Sequence, residues 1–148
     1  MAYTKLIYHI VFSTKERRPF LQDEALPEVR AYIGGALRDQ SAHPVAVGGM
    51  ADHLHLAVIA RPTTRLSDLM REVKANSSKS IQGRFPTLKV FAWQDGYSAF
   101  SVSESVLPDV VKYIQGQQAH HKKQTFQEEL LALLARHGVE YDPRYIWT

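Results

Sequence analysis

The stretch "ADHLHLAV", Ala51 to Val58, decides how this chain is read. It follows the run "HPVAVGGM", His43 to Met50, and together the two read as a pair of strands around a turn at Gly48 to Asp52. Successive side chains on a strand point to opposite faces. His53 and His55 therefore share one face with Ala57 and Ile59, while Leu54, Leu56 and Val58 fill the other. Two imidazoles at neighbouring same-face positions can converge on one ion, and the pleat fixes their approach. The same alternation suits two polar residues on the open face of a half-covered sheet, and spacing alone leaves both readings open.

Working outward, "KLIYHIVFS", Lys5 to Ser13, alternates as a strand, and "TKERRPF" follows as a basic connection. "LPEVRAYIGGALRD" predicts a helix with Pro27 in its first turn and Val29, Ile33 and Leu37 recurring every fourth residue. "RLSDLMREVKANSSKSIQ" predicts a second, with Leu66, Leu69, Met70, Val73 and Ile81 on one face. "KVFAWQDGYSAFSVS" predicts a last pair of strands turning near Asp95-Gly96. "LPDVVKYIQGQQAH" predicts a third helix with Pro108 at N1. A fourth starts where Thr125 and Glu128 match a capping box and stops near Gly138. This order predicts an α+β fold, an antiparallel sheet of ferredoxin-like or RRM-like plan. Two helices cover one face, and C-terminal helices extend the unit.

At 148 residues the chain is expected to form one domain, residues 1–148. It has no cysteine, which excludes disulfides and thiolate-bound zinc and fits a cytoplasmic setting. The N-terminal apolar run lacks a signal peptide's cleavage site, and no segment is apolar for long enough to cross a bilayer, so no membrane partner is expected. A net charge of +3 is compatible with nucleic acid.

Several metal-site patterns do not fit. A cupin would place a glutamate soon after the second histidine, and "AVIARP" supplies none. HExxH is absent, and His-x-His barrel hydrolases need far more chain. Asp52 is placed either to orient an imidazole or simply to form the turn. The third helix offers further groups. Tyr113 and Gln117, four residues apart, share a face and border the apolar stripe of Leu107, Val110, Val111 and Ile114. His120 lies on the same side, one turn beyond Gln117. A tyrosine beside a core stripe is also ordinary amphipathic packing. Gly116 costs a helix interior about 1 kcal/mol relative to alanine. It either permits close approach of another backbone or is tolerated slack.

Taken together, "DHLHL" and the later Tyr113-x-x-x-Gln117 resemble the single-tyrosine HUH transposases of small insertion sequences, the insertion-sequence-200-like family. The likeness extends to "YHIVFSTKERRP", "LMREVKANSSKSI", "FAWQDGYSAFSVS" and the ending "QQAHHKKQTFQEELLALLARHGVEYDPRYIWT", and so spans essentially the whole chain. The resemblance implies a sheet-based domain that nicks single-stranded DNA, with the catalytic tyrosine on a C-terminal helix. Tyr113 is then the nucleophile, and His53, His55 and Gln117 are the metal ligands. Asp52 and His120 are accessory candidates. Attack by Tyr113 would leave a 5′-phosphotyrosine and a free 3′-hydroxyl. The covalent bond conserves the phosphodiester's energy, so rejoining needs no ATP. Open coordination positions facing phosphate and water oxygens imply Mg²⁺ or Mn²⁺, acting from a neutral ligand set.

The family also implies a homodimer, with the tyrosine helix tethered by flexible flanks such as "QAHHKKQ", and binding of single-stranded DNA with hairpin ends. Whether Tyr113 meets its own histidines or a partner's stays open in the sequence. Candidates for phosphate contacts are Lys15, Arg17, Arg18, Arg71, Lys74, Lys79, Lys122 and Lys123. Phe91, Trp93 and Tyr97 are placed to stack on bases, with core packing expected for at least two, and Tyr141, Tyr145 and Trp147 are expected to pin the C-terminus. Three other readings compete. One is a host-retained relative acting on dispersed hairpin repeats, another a non-catalytic RRM-like binder of single strands. The third, a small metal-dependent hydrolase, leaves Tyr113 unexplained.

Overall fold

The computed structural model describes residues 1–22, 24–121 and 123–148. Its strands are β1 (Leu6–Ser13), β2 (His43–Met50), β3 (His53–Ala60) and β4 (Ser98–Val102). Its helices are α1 (Ala25–Asp39), α2 (Leu66–Arg84), α3 (Leu107–Gln115), α4 (Gln117–His120) and α5 (Phe126–Arg136). The sheet order β2-β3-β1-β4, antiparallel throughout, is the expected ferredoxin-like plan.

β3 runs through the interior, and only Ile59 escapes full burial. Leu54, Leu56 and Val58 join Ile10 and Phe12 of β1 beneath α1 and α2, where Val29, Ile33, Leu37, Leu69, Met70, Val73 and Ile81 supply the facing apolar stripes. The opposite face carries His53, His55 and Ala57, and α3, α4 and α5 cover it. Ile114 of α3 packs on Ala46 and Ala57. Phe126, Leu130, Leu133 and Leu134 of α5 pack on Val11 and Phe100.

The β2–β3 turn is tighter than expected. Met50 pairs with His53, leaving only Ala51 and Asp52 in the loop. Pro44 is tolerated because β2 is an edge strand, and the register shifts beside it. Of the expected last strand pair only β4 forms. Trp93 makes an isolated bridge to Thr14, and its ring instead enters the α2 side of the core, 4.7 Å from Phe12 and 4.9 Å from Phe91 between centroids. Burying that indole outweighs a second ladder, and its N–H is satisfied by Ser77 Oγ at 2.9 Å. The third helix is also divided. α3 ends at Gln115, and Gly116 joins it to the single turn of α4. α5 carries the expected capping box and ends before Gly138, whose φ of 65° suits a glycine after a helix.

Candidate active site and cation centre

The two histidines sit where β3's alternation puts them, fully buried beneath α3, α4 and α5. The face that a non-catalytic binder would leave open is therefore covered. α3 reaches it through a glycine, but not the one expected. A Cβ on Gly48 of β2 would lie 2.3 Å from the Ile114 carbonyl oxygen, so only glycine admits the helix backbone at that point. At Gly116 the nearest such contact is the Lys112 carbonyl oxygen of its own helix, 3.3 Å away.

Each imidazole is oriented from behind. His53 Nδ1 lies 2.7 Å from Asp52 Oδ1, and the Asp52 carbonyl accepts from the backbone N–H of buried Thr14 at 2.9 Å. His55 Nδ1 lies 2.8 Å from Nε2 of buried His9 on β1. In front of them stands Glu129 of α5, only 1% exposed. Its Oε1 lies 2.9 Å from His55 Nε2, 3.4 Å from His53 Nε2 and 3.3 Å from His121 Nε2. Its Oε2 accepts from the Tyr113 hydroxyl in a short hydrogen bond and from Gln117 Nε2 at 3.1 Å, with His120 Nε2 at 3.2 Å. Gln117, itself buried, turns Oε1 toward His53 Nε2 at 3.0 Å and His121 Nε2 at 2.9 Å. Among the described residues, His53, His55, His121 and Glu129 each offer one ligand atom, all within 4.8 Å of one another.

This crowding sets the charges. Burial alone would raise the Glu129 carboxyl, but hydrogen bonds from His53 and His55 reverse this and hold it far below the usual carboxylate range. Burial would likewise lower His53; its bonds to Asp52 and Glu129 prevail and push it up to about 9. His55 is lowered, chiefly by burial. Burial and the neighbouring His55 bring His9 down to about 3. Burial, then the bond to Glu129, pushes the Tyr113 hydroxyl above its ordinary range.

The expected site residues thus meet within one chain: His53, His55, Tyr113 and Gln117, with Asp52 and His120 beside them. The stretch expected to be a flexible flank instead includes the α4 turn, which delivers His120 and His121 to the cluster. Glu129, His121 and His9 join the cluster without belonging to the motif. Glu129 had a signal, because it falls on the buried stripe of α5 with Phe126, Leu130 and Leu133, where a carboxylate needs a partner. His9 had none without the register that brings β1 against β3.

The basic candidates are scattered. Lys15, Lys79 and Lys123 are exposed, whereas Lys122 lies outside the described residues. Lys74 Nζ is committed to the carbonyls of Gln94 and Gly96, at 2.6 and 2.7 Å, so it pins a loop. Arg71 pairs with Asp68 and Arg18 with Glu16, while Arg17 lies over the Trp147 ring. Phe91 and Trp93 are core residues and Tyr97 is 38% exposed. Trp147 packs against the α5 cluster, but Tyr141 and Tyr145 are exposed. A cavity of about 650 Å³ opens beside Tyr113 and Glu129, lined also by Ser101, Asp109, Arg136 and His137. No helix among the described residues is long and apolar enough to cross a membrane.

Comparison with known proteins identifies the family and the fold. Residues 2–117 match the family model described as "Transposase IS200 like". The ISDra2 transposase TnpA of Deinococcus radiodurans is 25% identical over 118 residues, covering 76% of this chain and 84% of that protein. A crystal structure of a protein assigned as a transposase from Deinococcus radiodurans R1 superposes with a TM-score of 0.66 at 27% identity, covering 78% of this chain and 93% of that one. A REP-associated tyrosine transposase bound to a REP hairpin superposes with a TM-score of 0.57 at 20% identity, covering 77% of this chain and 67% of that one, and shares the fold.

Proposed function

This chain belongs to the family of IS200-like transposases, and from that membership we propose that it cuts and rejoins single-stranded DNA through a 5′-phosphotyrosine bond to Tyr113. The observation that carries the reading is the convergence of the Tyr113 hydroxyl on the His53, His55 and Gln117 cluster within a single chain. An isolated phenol is a poor nucleophile at neutral pH. Here its proton already points at Glu129 Oε2, with His120 Nε2 3.3 Å from the hydroxyl oxygen as a second acceptor. As the bond from the Tyr113 oxygen to phosphorus forms, that proton passes to His120 Nε2, because the Glu129 carboxylate is too weak a base to keep it, and the bond from phosphorus to the 3′-oxygen breaks. The 3′-oxygen leaves with the electron pair and takes a proton from solvent. Attack by the 3′-hydroxyl of another end reverses the step and restores the tyrosine.

The buried imidazole nitrogens and amide oxygen of His53, His55 and Gln117 suit a divalent cation. Mg²⁺ or Mn²⁺ bound there supplies charge neutralisation at a non-bridging phosphate oxygen. The protein's own part is orientation, with Asp52 and His9 fixing the rings and Gly48 letting α3 seat the tyrosine above them.

The substrate we propose is a single strand with hairpin ends, entering through the cavity beside Tyr113. Support comes from family membership and from the exposed basic side chains of Lys15, Lys79 and Lys123. Residues 1–148 would act as one catalytic unit on cytoplasmic DNA. A homodimer would bring two ends together for joining, although the tyrosine meets its own chain's histidines. The test is covalent trapping. Labelled single strands from both flanks of the gene, incubated with Mn²⁺ or Mg²⁺, should give a denaturation-resistant protein–DNA band. Chelator should abolish it. Hairpin binding with no adduct in either metal would instead support a binding module, and adducts formed only with hairpins dispersed elsewhere in the genome would support a host-retained relative.

A further inference from the structure

The cluster contains more acceptors than the three-ligand reading uses. His121 Nδ1 lies 2.8 Å from the Gln124 carbonyl oxygen, which can only accept, so Nδ1 carries the hydrogen and a neutral ring presents a bare lone pair at Nε2. His53 reaches the same position once a cation displaces the second proton that its neighbours favour, its Nδ1 hydrogen being given to Asp52. Gln117 has its NH₂ on Glu129, which turns its oxygen inward. His53 Nε2, His121 Nε2, Gln117 Oε1 and Glu129 Oε1 therefore face one another as lone pairs, three of the residues fully buried and His121 8% exposed. Acceptors pressed together in this way need a positive occupant.

We propose that Glu129 and His121 are cation ligands alongside His53, His55 and Gln117, making the site anionic, and that the second oxygen of Glu129 couples it to Tyr113. The inference rests on the cation part of the proposed function. Both residues lie beyond the stretch matched by the family model, which ends at Gln117. One carboxylate then serves two tasks, because Oε1 faces the imidazoles while Oε2 holds the nucleophile's hydroxyl. Holding the cation and aiming Tyr113 become properties of a single side chain, delivered by α5. The competing occupant is a proton on His53, which would make the same cluster a buried ion pair.

The experiment measures Mn²⁺ binding by the full chain, with no DNA present. Electron paramagnetic resonance of free Mn²⁺ gives affinity, and spin-echo modulation counts the imidazole nitrogens on the bound ion. The wild type should show three imidazoles, from His53, His55 and His121. Glu129→Gln and His121→Asn should each weaken binding by about tenfold or more, and His121→Asn should drop the count to two. Melting in chelator identifies a variant that fails to fold; the wild-type nitrogen count needs no variant. Two imidazoles in the wild type, or wild-type affinity in either folded variant, overturns the inference. If that occurs while the wild type still forms the Tyr113 adduct, the proposed function stands without it. A wild type that binds no Mn²⁺ overturns the inference whatever the adduct assay shows.

Discussion

The hydroxyl of Tyr113 donates to the carboxylate of Glu129 in the same chain, although the two residues lie on different helices and α4 stands between them. The proposed nucleophile, the histidine pair and a buried carboxylate are therefore brought together in one chain. Tyr113→Phe should remove the covalent DNA adduct altogether. It forfeits a hydrogen bond to a buried carboxylate, so it should cost about 1.5–3 kcal/mol of stability, measured by urea unfolding alongside the trapping gel.

Gly48 and Ile114 make the opposite kind of test, one of space. Gly48→Ala places a Cβ 2.3 Å from the Ile114 carbonyl oxygen, and backbone cannot step aside as a side-chain tip can. The variant should lose about 1–3 kcal/mol, as overpacked sites do, and should trap less adduct because α3 is displaced. Gly116→Ala should fold normally and retain α3's position, as seen by circular dichroism and melting.

The Trp93 indole depends on Ser77 for its N–H. Ser77→Ala leaves that donor buried and unpaired, at an expected cost of about 1–3 kcal/mol. Trp93→Phe in the same background should recover part of the loss, because it removes the orphaned donor. A double-mutant cycle reads the difference.

His9 gives a pH signature in metal-free protein. Its pKa falls from 6.5 unfolded to about 3 folded, so between those values the unfolded chain binds a proton that the folded chain refuses. This group's contribution to stability is complete above pH 6.5 and is lost as pH falls toward 3, by up to about 1.4 kcal/mol per unit. His9→Phe should flatten that limb of the stability–pH curve. A curve unchanged by the substitution would show that His9 is protonated in the fold.

Salt dependence separates DNA contacts from loop supports. Alanine at Lys15, Lys79 or Lys123, whose side chains are exposed, should each reduce the salt slope of hairpin binding by roughly one where the lysine meets a phosphate. Lys74→Ala should leave the slope alone and lower stability, because its amino group holds the Gln94 and Gly96 carbonyls.

Much of this protein was decided by local pattern. The alternation of β3 placed His53 and His55 on one face and Leu54, Leu56 and Val58 on the other, because side chains on a strand alternate whatever lies around them. The Thr125–Glu128 box was legible for the same reason, since helical geometry relates neighbours in sequence. Where burial competed with local preference the pattern misled. Trp93 left the expected strand pair for the core, and the glycine that admits a backbone proved to be Gly48 on the facing strand. Only the tertiary structure could bring Glu129 of α5, His121 of α4 and His9 of β1 to a pair of histidines on β3, because those encounters depend on sheet register and helix docking. Local pattern alone picked out the candidate residues. The packing of three helices over one sheet face decided which carboxylate stands among them.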